Sequence, residues 1–132
     1  MRLLADTGAL IALFLKSDRH HRDAVAFVRA YPAANYLVSS LILAEVVTRM
    51  RARADAARAS DAGRKLLDSR RYNVVFVDAP LVRHGLDRLE QFRDKRLSLT
   101  DCVSFELIDR LGLQGAFAFD RDFRDCGYRM VP

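Results

Sequence analysis

Arg2-Leu3-Leu4-Ala5-Asp6-Thr7-Gly8-Ala9-Leu10, at the start of the chain, is an apolar run that ends on an acid and leads into a second apolar run. Thr7-Gly8 can break an extended segment, and the residues from Ala9 to Leu15 suit a helix. The stretch therefore reads as strand, turn, helix, with Asp6 where the strand gives out.

Strand and helix signals alternate along the rest of the chain. A helix is expected from Ser17-Asp18, which can cap it, through Ala24, Phe27 and Val28, stopping before Pro32. Asn35-Tyr36-Leu37-Val38 reads as a strand, and Ser39-Ser40 supplies cap hydroxyls for a helix that carries Glu45 among Leu41, Leu43, Ala44, Val46 and Val47. Ala52 to Asp68 favours helix by propensity, with Gly63 a weak point. Asn73-Val74-Val75-Phe76-Val77, β-branched and aromatic, is the clearest strand, and Asp78 before Pro80 opens a helix over Leu81 to Phe92 with an apolar stripe of Leu81, Val82, Leu86, Leu89 and Phe92.

After a polar loop at Asp94-Lys95-Arg96, Ser98-Leu99-Thr100-Asp101 introduces a helix with Val103, Phe105, Leu107, Ile108 and Leu111 as core candidates and Gly112 as its end. A fourth strand runs through Ala116-Phe117-Ala118-Phe119 to Asp120, and Tyr128 to Val131 forms a fifth. No linker interrupts this alternation, so residues 1–132 are expected to be one α/β domain with a largely parallel sheet. In such sheets ligands collect where strands end and helices begin, which is where Asp6 and Asp120 fall.

A chain of 132 residues with 51% hydrophobic and 30% charged side chains can bury a core and keep a polar surface, which excludes disorder. Its apolar runs are shorter than the roughly 20 residues a membrane span needs, and Asp6 leaves no room for the apolar stretch of a signal peptide. A cytoplasmic location without membrane contact is expected, with Cys102 and Cys126 as free, packed thiols. The net charge of +5 favours an anionic partner such as nucleic acid, although the arginines between Arg49 and Arg64 also suit a solvated helix face.

Carboxylates beside core runs need an explanation, because Asp and Glu are seldom buried unless paired or bound to metal. Asp6, Glu45, Asp101 and Asp120 all neighbour such runs. Gathered in one cleft, they would repel one another unless a cation neutralised them, and oxygen ligands with few histidines suit Mg²⁺ or Mn²⁺ better than zinc. Such a site fits hydrolysis of a phosphodiester backbone. Helix capping is the competing explanation for Asp6 and for Asp101. His20 and His21 lie in a polar stretch and read as solvent-exposed; Phe123 reads as core. There is no G-x-G-x-x-G after the first strand and no P-loop.

Four segments together resemble the PIN-domain family, and more narrowly its VapC-type toxins from prokaryotic toxin–antitoxin pairs. They are Leu4-Ala5-Asp6-Thr7-Gly8-Ala9-Leu10, Ser40 to Arg49, Leu97-Ser98-Leu99-Thr100-Asp101-Cys102, and Phe117-Ala118-Phe119-Asp120-Arg121-Asp122-Phe123. The resemblance spans nearly the whole chain. It implies a three-layer α/β/α sandwich around a mostly parallel sheet of four to five strands, and a metal-dependent endoribonuclease held in check by an antitoxin. Asp6, Glu45 and Asp101 match the family's three recurrent acids and Asp120 its more variable fourth, as ligands for Mg²⁺ or Mn²⁺. Thr7 and Thr100 match supporting hydroxyls, and Asp122 is a possible supplement. Gly8 stands where many relatives have serine. RNA as substrate, an antitoxin and a second copy of the chain are the partners implied. The alternatives are an RNA-processing nuclease outside a toxin pair and a non-catalytic domain that binds RNA or protein.

Overall fold

One five-stranded sheet flanked by seven helices makes up the computed structural model, which describes residues 1–132. In chain order the elements are β1 (Arg2–Ala5), α1 (Thr7–Phe14), α2 (His21–Ala30), β2 (Asn35–Ser39), α3 (Ser40–Arg53), α4 (Ala56–Asp68), β3 (Tyr72–Val75), α5 (Ala79–Gln91), α6 (Leu99–Leu111), β4 (Ala116–Phe117), α7 (Asp122–Asp125) and β5 (Met130–Val131). The sheet order is β3-β2-β1-β4-β5, and every neighbouring pair is parallel. Leu4 of β1 stands opposite Leu37 on one side and Ala116 on the other.

The chain builds outward from β1 to β2 and β3, then returns past β1 to lay down β4 and β5. Because parallel crossovers are right-handed, reversing direction moves the connecting helices to the opposite face of the sheet. The pairs α1–α2 and α3–α4 therefore cover one face, and α5–α6 the other. A central strand covered on both faces must be apolar throughout. Leu3, Leu4 and Ala5 accordingly have no exposed surface. Arg88 ties α5 to α6 through Glu106 (2.8 Å) and Asp109 (2.7 Å), and also donates to the Tyr128 hydroxyl. No helix is long and apolar enough to cross a membrane.

Several boundaries differ from the sequence expectation. The first helix starts at Thr7 rather than Ala9, with Gly8 inside it, because Asp6, still extended, already takes the N-cap position. The segment around Ser17-Asp18 is a turn; Asp18 caps the His20 amide and the helix begins at His21. The helix expected from Ala52 belongs to α3 up to Arg53, and α4 starts afresh after Asp55, whose side chain accepts from the Arg58 amide. The strand expected to reach Val77 ends at Val75, leaving Phe76 71% exposed. The strand expected to run to Asp120 pairs only over Ala116–Phe117, and the last strand only over Met130–Val131. Leu86 and Leu111, expected in the core, are exposed. Gly63 is a contact point rather than a weak one: a Cβ there would stand 3.0 Å from Val47, so its absence lets α4 lie close on α3.

Candidate active site

Asp6, Asp101 and Asp120 lie at or beside helix starts and Glu45 in the second turn of α3, with Asp6 and Asp120 following β1 and β4, the two strands between which the winding direction reverses. Asp6 directly follows β1, and its amide donates to the Phe117 carbonyl of β4 (3.0 Å), which fixes the residue at that junction. It occupies the N-cap position of α1 with extended backbone, yet its side chain makes no capping bond. The capping explanation therefore does not account for Asp6. Its side chain is nevertheless buried, at 8% exposure.

Asp101 serves its helix. It is the third residue of α6, its amide donates to Ser98 Oγ, and the Ser98 amide donates to its Oδ2, both at 3.1 Å. Glu45, in the second turn of α3, is held from two other elements. Thr7 Oγ1 donates to Oε2 (2.8 Å) and Thr100 Oγ1 donates to Oε1 (3.0 Å), so the first turns of α1 and α6 clamp one carboxylate of α3. Asp120, exposed beyond β4, accepts the Asp122 amide at Oδ1 (2.9 Å).

The four acids share one electrostatic neighbourhood. Burial first, then the charge of Asp101, pushes the Asp6 carboxyl up to about 7, with Asp120 and Glu45 adding to the shift and the Thr7 amide opposing it. Burial also raises Asp101, against the hydrogen bonds from Ser98, and Asp120 and Glu45 raise it further. Asp122 is raised by partial burial and then by Asp120 and Asp101, which places it at the edge of the same field. Arg49 is the one cation paired with any of the four central acids, 3.9 Å from Glu45 Oε2 and mostly solvent-exposed.

This donor set suits a hard divalent cation. All four groups are carboxylates, no sulfur or imidazole joins them, and their mutual repulsion has no adequate counter-charge in the protein. Asp101 keeps Oδ1 and Asp120 keeps Oδ2 free of protein donors. The acids are neighbours rather than a ready-made chelate: no three His, Cys, Asp or Glu groups are placed to hold one ion.

Two features escaped the sequence reading. His20 and His21 are half-buried rather than solvent-exposed; the His21 ring meets the Ala12 carbonyl (2.7 Å), and the His20 ring stacks on Phe119. Nothing local announces a stack between residues so far apart in the chain. The second is the pairing of Arg49 with Glu45, which their i,i+4 spacing could have signalled. Phe123 is fully buried, as expected.

A doubly wound parallel sheet with carboxylates at its switch point defines a class of α/β proteins equipped to bind hard cations beside an anionic substrate. Within that class the chain belongs to the PIN-domain family, whose profile matches residues 3–127. Nucleases of this family are metal-dependent. The relatives found are VapC toxins. The 23S rRNA-specific endonuclease VapC20 of Mycobacterium tuberculosis is 28% identical over 126 residues, covering 96% of this chain and 95% of the relative. The crystal structure of that protein, described as a sarcin-ricin loop cleaving toxin, superposes with a TM-score of 0.89 at 26% identity, covering 96% of each chain. A toxin–antitoxin complex from Klebsiella pneumoniae contains a chain that shares the fold, with a TM-score of 0.69 at 18% identity over 98% of this chain and 96% of that one.

Proposed function

We propose that this chain is a VapC-type endoribonuclease, the toxin of a toxin–antitoxin pair, which hydrolyses phosphodiester bonds in structured RNA with Mg²⁺ or Mn²⁺ bound among Asp6, Glu45, Asp101 and Asp120. The observation that carries this reading is Asp6, a buried carboxylate that caps nothing, pairs with no cation and is raised by the charge of three other acids. Evolutionary kinship supports the substrate class, since the similar VapC20 is an endonuclease specific for 23S rRNA.

In this reading Asp6 and Asp101 hold the metal, and Asp120 completes the cluster from beyond the neighbouring strand β4. Bound there, a divalent cation supplies Lewis acidity towards the phosphodiester and offsets the carboxylate charge. Glu45 is a positioning group and proton acceptor: with both its oxygens fixed by Thr7 and Thr100, it presents a defined direction to an attacking water. Water adds to phosphorus, one P–O ester bond breaks, and the proton released by the water is shared between Glu45 and solvent while the leaving oxygen is reprotonated. Asp122, one residue past Arg121, adds its charge to the edge of the same field, where Asp120 and Asp101 raise its carboxyl. A cognate antitoxin, a second copy of the chain and a cytoplasmic setting complete the proposal.

Purified protein incubated with ribosomal RNA and Mn²⁺ or Mg²⁺ tests this. Discrete cleavage that chelation stops, and that Asp6→Asn and Asp101→Asn both lack, is the expected result. Cleavage surviving in both variants or in EDTA refutes the assignment. Sedimentation of the chain alone and with the protein encoded beside it checks the two partners.

A further inference from the structure

Resting on the nuclease reading above, we propose that His20 and Phe119, with Arg19 and Arg121, form a nucleotide-binding subsite that seats an unpaired RNA base beside the scissile phosphate. The two rings stack with centroids 4.2 Å apart and planes within 4° of parallel. Both are only half-buried. Together with Gly8, Asp18, Arg19, Asp120 and Arg121 they line a cleft of about 570 Å³, which the aromatic pair shares with one of the four central acids, Asp120.

Three features suit this cleft to a nucleotide. First, the ring pair presents a flat, rigid π surface, and stacking on such a surface is how single-stranded bases are held without regard to sequence. Second, Arg19 and Arg121 are exposed and neither makes an ion pair, whereas Asp18 is already neutralised by Arg53 at 2.8 Å. Two free guanidinium groups therefore flank an acidic centre that would otherwise repel the backbone it must cut. Third, the aromatic surface continues on the other side of the pair, where His20 and Phe119 line a second groove with Phe27 and Tyr31, the latter 48% exposed. A strand leaving the metal cluster would thus meet stacking surface for more than one base.

The test is anisotropy of a short fluorescein-labelled single-stranded RNA with the protein in EDTA, so that nothing is cut. His20→Ala should weaken binding about tenfold while His20→Phe, which keeps a flat ring, stays within about twofold of wild type. Arg121→Gln, which changes an exposed side chain that makes no hydrogen bond or ion pair, should weaken binding and reduce the slope of log K against log salt by about 0.7. Thermal unfolding of each variant at the wild-type temperature excludes a folding defect as the cause. Wild-type affinity and salt slope in all three variants overturn the subsite. Metal-dependent cleavage is scored separately: cleavage by wild type with indifferent variants sinks the subsite alone. RNA binding that depends on His20 without any cleavage sinks the nuclease reading and leaves the subsite standing.

Discussion

Asp6 carries the sharpest consequences at the scale of single residues. Its proton is held to about 7 in the fold against 3.8 for the ordinary carboxyl, so between those values the folded chain binds more protons than the unfolded one. Stability of the metal-free protein should therefore fall as pH rises from about 4 to about 7, and stay low above that. Asp6→Asn removes the charge: in EDTA it should unfold at higher urea than wild type near pH 8, by up to about 4 kcal/mol, and match it near pH 4. The same variant should be inactive, and this opposition of stability and activity marks a group kept for chemistry. Thr7→Val or Thr100→Val each frees one oxygen of Glu45; cleavage should drop about tenfold for roughly 1 kcal/mol of stability. Equal losses in stability and no loss in rate would make the two hydroxyls merely structural. The sequence made the acids legible because each abuts an apolar run. It did not reveal that the two threonines grip one carboxylate, since that contact joins three elements through tertiary packing.

Among the elements, the helix pairs are fitted by glycine. A Cβ on Gly85 of α5 would lie 2.7 Å from Val103 Cγ2 and 3.1 Å from Leu99 Cδ1, both on α6. Gly85→Ala gains about 1 kcal/mol of helix propensity but must separate the helices, and a net loss of about 1–2 kcal/mol is expected in urea unfolding. Gly8, in α1, meets nothing within 4 Å, so Gly8→Ala should instead stabilise by about 0.5–1 kcal/mol. Equal effects at the two sites would show that propensity alone governs these positions. Composition can identify a glycine in a helix but cannot say what faces it, which is why Gly63 read as weakness. The element order, by contrast, was plain: capping residues Ser39, Asp78 and Ser98 act where the sequence placed them. Strand lengths were not: Phe76 and Phe119 have strand-forming side chains, yet the paired register stops at Val75 and Phe117.

For the molecule as a whole, metal and fold should be coupled. If the acids cost stability when bare, Mn²⁺ should raise the melting temperature of wild type in proportion to ln(1 + [Mn²⁺]/Kd) and leave an Asp6→Asn/Asp101→Asn double variant nearly unmoved. Identical shifts in both proteins would place the ion elsewhere. The family resemblance was readable from four short segments, whereas the aromatic cleft was invisible until the loop before α2 and the segment after β4 came together. The strand order has one further result. Asp6 is synthesised well before β4, the strand whose Phe117 carbonyl anchors its amide, and before Asp120 beyond it. Until β4 and Asp120 have been made, a nascent chain therefore carries Asp6, Glu45 and Asp101 as scattered side chains, and the four acids can meet only once that later segment has joined the fold.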